Sequence, residues 1–348
     1  MTHGVDKYYF PPTRFFGSKR RLTPWLHECL KCYNVQSALD VFGGTGTVSM
    51  LLAQMGMAVT YCDGLESNRV CVRALTGRPG DVVDEEGLRS ILGRVSPRCG
   101  FVSSTFGGIY YTDEENQWID GFIDVMNATS DDSLLHIIQY CFFQACLQKR
   151  PFNMFHRANL SLRNRDVARS FGNHSTWQRP FSESMILALD AVDRSRRVVS
   201  QKIHVSDCSS PSSFSSGYDL VYIDPPYLKA NKSVDSYVDR YHFIEGILLK
   251  DGWNEKIDFN TRNRRLRPGY FSEPWEDSRQ FPSLLAEFLD KHRHSVVALS
   301  YAEDRVPSIR EIRRMFLSIF RSVQTHKYRT THALSSSGVD EFLIIGEP

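Results

Sequence analysis

Residues 37–63, SALDVFGGTGTVSMLLAQMGMAVTYCD, decide the fold. SALDVF reads as a buried strand, TVSMLLAQMG as a helix stopped by Gly56, and AVTYCD as a second strand. Strand, helix, strand in so short a span begins a parallel sheet. Asp40 ends the first strand, and Phe42, Gly44 and Gly46 lie between it and the helix. Glycines there let backbone N–H groups approach a ligand at the helix N-terminus. The spacing is neither the dinucleotide GxGxxG nor a phosphate loop, since no Gly-Lys-Ser/Thr follows. Asp63 ends the second strand about twenty residues on, where a nucleoside-binding α/β fold puts its ribose acid. The loop then suits an adenosine without a pyrophosphate. The plainer alternative is that the glycines only turn the chain and Asp63 only caps a strand.

Outward from this unit, SKRRLTPWLHECLKCY before it is helical, and the alternation resumes at KIHVSD (202–207) and YDLVYID (218–224). A helix near 235–250, strand SVVALSYA (295–302) and helix SIREIRRMFLSIF (308–320) follow. Two last strands, near 322–330 and at 341–347, flank a Ser/Gly turn and suit antiparallel pairing. The fold class expected is α/β: a mostly parallel sheet with a C-terminal antiparallel hairpin, interrupted by a mainly helical insertion. The organisation is 1–76 and 201–348 as framework, with 77–200 inserted. Charge is polarised within the insertion. Residues 77–135 hold eleven acidic and four basic residues, whereas 146–205 hold eleven basic and four acidic.

At 348 residues, 41% hydrophobic and 24% charged, the chain has ample material for one large core. The net charge of +2 decides nothing by itself. No apolar run approaches the ~18 residues of a membrane span, and the start lacks a signal peptide's apolar stretch. The expected setting is therefore the cytoplasm, away from membranes. Of eight cysteines only Cys29 and Cys32 form a CxxC, inside a helical stretch, with no second pair at zinc spacing. No metal site is expected, and the thiols are expected reduced.

Residues 221–228, VYIDPPYL, run a core strand straight into a carboxylate and two prolines. A strand exit explains one proline. Asp224, the rigid Pro225-Pro226 corner and Tyr227 together make an acceptor-lined ledge with an aromatic ring.

FFGSKRRL, DVFGGTGTV and YIDPPY, in that order, resemble the DNA adenine methyltransferases of the deoxyadenosine-methylase type. FNMFHRANLSLRNRD (152–166) and RSFGNHSTWQRPF (169–181) are similar to stretches of restriction-linked members. The resemblance covers about 1–75 and 200–348. It implies a Rossmann-like methyltransferase fold, S-adenosyl-L-methionine as cofactor and double-stranded DNA as substrate. A separate cognate restriction endonuclease is a further partner it would allow.

On this resemblance Phe16, Gly17, Lys19, Asp40, Phe42, Gly44, Gly46 and Asp63 hold the cofactor, and Asp207 accepts from its adenine amine or merely ends a strand. At least one of Phe15 and Phe16 touches the cofactor. Asp224 and the Pro225 carbonyl accept from the two N–H atoms of a flipped-out adenine, Pro226 stiffens the corner and Tyr227 stacks on the base. The basic half of the insertion, with Arg157, Arg163, Arg165 and Arg169, suits DNA phosphates. NTRNRRLRPGYF (260–271), with Arg262, Arg264 and Arg265, is a second basic loop. Rival substrates are the cytosine 4-amino group, RNA adenine and protein glutamine, but an acid at the head of the tetrapeptide favours adenine in DNA. A catalytically idle DNA-binding protein is the rival outside enzymes. No spare domain stands ready to hold a nuclease.

Overall fold

A computed structural model describes residues 8–15, 17–155, 160–161, 174–199, 201–228, 236–267, 274–331 and 338–348. Helix α1 (Thr23–Leu30) precedes strand β1 (Ser37–Asp40), and α2 (Thr47–Gln54) leads to β2 (Ala58–Tyr61) and α3 (Glu66–Thr76). Among the described residues six helices follow before the next strand: α4 (Glu85–Gly93), α5 (Phe101–Phe106), α6 (Asp113–Asn127), α7 (Asp132–Gln148), α8 (His174–Gln178) and α9 (Phe181–Val199). The framework resumes with β3 (Ile203–Val205), β4 (Leu220–Ile223), α10 (Tyr237–Leu248) and α11 (Trp253–Lys256). It closes with α12 (Phe281–Lys291), β5 (Val296–Ala302), α13 (Ile309–Ile319), β6 (Ser322–Thr331) and β7 (Gly338–Glu347). Cys32 falls two residues beyond α1 and not inside a helix.

The seven strands form one sheet in the order β3-β2-β1-β4-β5-β7-β6. The first five are parallel, β7 runs antiparallel to β5, and β6 antiparallel to β7. Strand order reverses between β1 and β4, where Asp40 lies beside Tyr222. The crevice beyond the carboxyl ends at such a reversal is where open α/β sheets bind ligands.

Alternation along the strands builds two apolar faces. Ala38, Val59, Leu220, Tyr222 and Ala298 pack with α2, α3, α7 and α9 on one side. Leu39, Val221, Ile223, Val297 and Leu299 pack with α12 and α13 on the other. Helix α7 is buried without interruption from Ile137 to Leu147, so it is a core helix of the helical layer. Among the described residues no helix is long and apolar enough to cross a membrane.

Much of the basic half of the inserted segment is structural. The Arg196 guanidinium, 1% exposed, donates to the carbonyls of Ala74 (2.7 Å), Asp81 (3.0 Å) and Arg78 (3.2 Å), clasping the end of α3 to α9. Buried Lys149 bonds Glu115 and the Trp177 carbonyl, both at 2.8 Å, and buried Arg150 donates to the Leu160 carbonyl at 3.1 Å. Arg194 and Arg197 pair one turn back along α9 with Asp190 and Asp193. These five cations therefore answer to the protein's own carbonyls and carboxylates. Arg157, Arg163, Arg165 and Arg169 lie outside the described residues.

Candidate active site

The chain turns from β1 into α2 through Gly43–Gly46, with Gly44 at φ +52° and Gly46 at φ +72°. Those left-handed angles favour glycine, and at Gly46 a Cβ would also come within 2.9 Å of Val72. Asp63 holds the loop from the end of β2. Its Oδ2 accepts from the Gly44 N–H at 2.8 Å, and Oδ1 accepts from the Leu65 N–H (2.8 Å) and Asn68 Nδ2 (3.0 Å). Burial lifts the Asp63 carboxyl, against the pull of these donors. The strand-end role weighed for Asp63 is thus present in the geometry, whatever else it binds.

Gly17, Lys19, Asp40, Phe42, Gly44 and Asp63 line one cavity at the switch point, with Asp224 and Pro226 on its β4 side. Its empty space, with the open solvent at its mouth included, is about 960 Å³. Phe15 also lines it, stacked on Tyr241 at 4.6 Å. Gly46 shapes the loop without reaching the cavity. Phe16 lies outside the described residues.

One carboxylate oxygen in the wall has no hydrogen-bond partner among the described residues. The Asp40 Oδ2 accepts from Ser49 Oγ at 2.7 Å, but its buried Oδ1 does not, while the neighbouring Tyr222 hydroxyl has the Ser300 side chain within reach. Desolvation pushes the Asp40 carboxyl up to about 7, with the charges of Asp224 and Asp63 adding to it. A buried, half-satisfied carboxylate at a cavity wall is a site for a cationic or hydrogen-bond-donating ligand.

Asp224 sits on an ion cluster that joins distant parts of the chain. Lys19 Nζ lies 2.8 Å from Asp224 Oδ1, 3.2 Å from Glu341 Oε1 and 2.7 Å from the Tyr227 hydroxyl. The Tyr227 hydroxyl is 3.0 Å from Asp224 Oδ1 and also hydrogen-bonds Glu341. Burial lifts the Asp224 carboxyl, and Lys19 opposes it without cancelling it. For Lys19 burial acts downward, but Asp224 and Glu341 outweigh it and the ammonium is held up.

Several expectations change here. Tyr227 does not line the cavity: its hydroxyl is drawn into the ion cluster, Lys19 Nζ sits 4.8 Å above its ring, and Tyr301 packs edge-on at 5.1 Å. Tyr237 and Trp275, unremarked in the sequence, line the cavity instead. Lys19 reaches Asp224 across the cavity as well as lining it beside the glycine loop. Asp207 is 98% exposed, pairs with Arg73 at 2.5 Å and stays out of the cavity, whose wall there is Ser209 and Pro211. Pro225 is buried behind Asp224.

Glu341 and Glu245 were also missed. Glu245, on α10, accepts from the Ser67 (2.9 Å) and Glu66 (3.2 Å) N–H groups at the start of α3, bracing the turn after Asp63. Burial pushes it to about 7. A carboxylate inside the helix YVDRYHFIEGIL, with apolar residues on both sides, was the available signal.

Of the second basic loop, Arg262 is exposed, Arg264 lies 5.3 Å over the Phe259 ring, and Arg265 pairs with Asp239 of α10 at 3.3 Å. Among the described residues no group of three or more His, Cys, Asp or Glu could hold a metal ion.

No curated protein matches the chain over its length or any part of it. The family model for D12 class N6 adenine-specific DNA methyltransferases does match, over residues 15–259. That span carries the glycine loop, Asp63, the helical segment and Asp224, more than two-thirds of the 348 residues. The matched span holds both sides of the crevice at the switch point, and the chain belongs to the D12 class N6 adenine-specific DNA methyltransferase family, whose reaction is methylation of the 6-amino group of adenine in DNA.

Proposed function

We propose that the cavity holds S-adenosylmethionine on its β1–β2 side and a flipped-out adenine on its Asp224 side. The observation that carries this is topological: the glycine loop and Asp224 follow adjacent parallel strands and face one crevice. The partnerless Asp40 Oδ1 fits the cofactor's polar end, taking its α-ammonium group. Phe15, Phe42 and the Gly44 backbone would hold its adenosine, and Asp63 would accept from the ribose. When bound, the cofactor supplies an electrophilic methyl group on a sulfonium.

The chain's own residues do the rest. Adenine's 6-amino lone pair is delocalised into the ring, so the nitrogen is a poor nucleophile. Asp224 and the Pro225 carbonyl accept its two N–H bonds, which favours a pyramidal nitrogen with its lone pair directed at the methyl. Pro225 has no N–H of its own, and the double proline fixes its carbonyl. Orientation of this kind is worth several kcal/mol, on the order of 7 in well-aligned systems. Extruding the base costs a few kcal/mol, offset by stacking on rings such as Tyr237 and Trp275.

Calorimetric titration of S-adenosylmethionine tests the cofactor assignment. The Asp40 carboxyl titrates at about 7, and the ligand's ammonium needs it ionised. Affinity is expected to be highest between about pH 7 and 8, to fall by up to about tenfold per unit below that range as Asp40 takes up a proton, and to fall again above it as the ligand's own α-amino group loses one. Asp40→Asn should weaken binding by about tenfold or more and abolish the fall on the acid side. A wild-type affinity that does not fall on the acid side would reject the role of Asp40.

A DNA-contacting role for the loop around Arg262 is supported by Arg265, which ties it to α10 at Asp239, two residues from the cavity-lining Tyr237. Replacing Arg262 and Arg264 by alanine should flatten the salt dependence of DNA binding by about two units of log–log slope, whatever the sequence. Arg194→Ala on α9, where the cation is already paired, should leave the slope unchanged. Equal slopes for the wild type and the double variant would remove this loop from the DNA interface.

A further inference from the structure

Glu341 lies 82 positions beyond the matched segment, on β7 opposite Ala302 of β5. It is 3% exposed. Its Oε1 receives Ser300 Oγ at 2.7 Å, Lys19 Nζ at 3.2 Å and the Tyr227 hydroxyl. Lys19 and Tyr227 are also the two groups that touch Asp224 Oδ1. The Tyr227 hydroxyl has a single proton and two carboxylates within reach, so it cannot donate to both. The two acids therefore compete for the phenol's one proton and share the charge of one ammonium, whose three N–H donors reach both of them and the phenol oxygen.

We propose that Glu341 is a positioning residue for the methyl transfer: by drawing Lys19 and Tyr227 partly onto itself, it leaves Asp224 free to accept strongly from the target amine. Were Glu341 absent, both donors would turn wholly onto Asp224, which would then be a weaker acceptor. This rests on Asp224 facing the amine, as proposed above. The groups around Asp224 are Lys19, Tyr227 and Glu341 in contact, with Tyr222 on β4, Asp40 on β1 and Tyr237 on α10 close by. Burial and the Glu341 charge both lift the Asp224 carboxyl, with Lys19 opposing them.

The sign follows. Asp224 must be ionised to accept from the amine, so the rate falls as pH drops through its titration. Glu341→Gln removes a like charge and releases donors, which lowers that titration. Its amide oxygen still accepts from Ser300, so the fold has a substitute partner. Ser300→Ala does the opposite: Glu341 loses a donor, leans harder on Lys19 and Tyr227, and the Asp224 titration rises.

The test is single-turnover methylation of duplex DNA at saturating cofactor, which keeps Asp40 ionised, across a pH series. For Glu341→Gln the acid limb should move down by about half a pH unit or more and the plateau rate should fall about fivefold, with S-adenosylmethionine KM within about twofold. For Ser300→Ala the limb should move up. A lower rate with the limb unmoved in both variants would mean a merely structural glutamate and overturn the proposal. Shifts of the same sign in both would overturn it too. Either result leaves the Asp224 assignment standing, whereas an Asp224→Ala enzyme of wild-type rate would overturn both.

Discussion

Asp224→Ala is expected to reduce methyl transfer to DNA by at least about 10³-fold, ~4 kcal/mol of transition-state stabilisation, while S-adenosylmethionine affinity stays within about threefold. The separation follows from the geometry. Asp224 stands at the end of β4, on the far side of the crevice from the glycine loop and Asp63. Its removal does not strand a buried charge, because Lys19 keeps Glu341 at 3.2 Å. The variant should therefore fold, bind cofactor and bind DNA, and fail only in chemistry. Calorimetry together with a labelled-methyl assay reads both halves. Near wild-type turnover would remove Asp224 from the reaction, and joint loss of cofactor affinity and rate would make it part of the cofactor site.

The second large effect is on stability. Arg196→Ala is expected to destabilise the protein by about 3 kcal/mol or more, since it leaves the carbonyls of Ala74, Arg78 and Asp81 without their charged donor. Arg197→Ala, one residue on, removes only an exposed pair with Asp193 and should cost within about 0.5 kcal/mol. Denaturant melts of the two variants compare the effects directly. If they match, the clasp at the end of α3 contributes no more than a surface ion pair.

The contrast between Arg196 and Arg197 also shows what could be read from the chain. Both count equally in a tally of charge; the stripe of Leu189, Val192 and Val199 puts Arg196 on the buried face of α9, but nothing local says what it meets there. That depends on where the end of α3 comes to rest, more than a hundred residues earlier. The β1–α2–β2 unit was legible because its information is local: a period of two, a glycine-bearing turn, then a period of 3.6. The DPPY corner was legible for the same reason, since an acid and two prolines after an apolar strand are conspicuous side by side. Glu341 was not. Its meaning comes from Lys19, 322 positions away, and from the antiparallel register that sets it beside Ala302. Tyr227 was found but its direction was not, because two carboxylates and a lysine outweigh a stacking role that needs only a ring. Asp207 fitted the pattern of a strand-end acid, yet Arg73 lay nearer than the cavity.

The ion cluster also has a history within each molecule's assembly. Lys19, Asp224 and Glu341 come from an early turn, the middle of the sheet and its last strand, so their meeting is among the most non-local contacts of the fold. Contacts of such separation are slow to form, because a long loop must close before they are rewarded. A chain whose parallel strands had already formed, with β7 not yet docked on β5, would hold Asp224 against Lys19 and Tyr227 with no Glu341 to share them. Competence for methyl transfer would then arrive later than competence to bind the cofactor. In a refolding experiment the two would be separated in time, with the docking of β7 as the step between them.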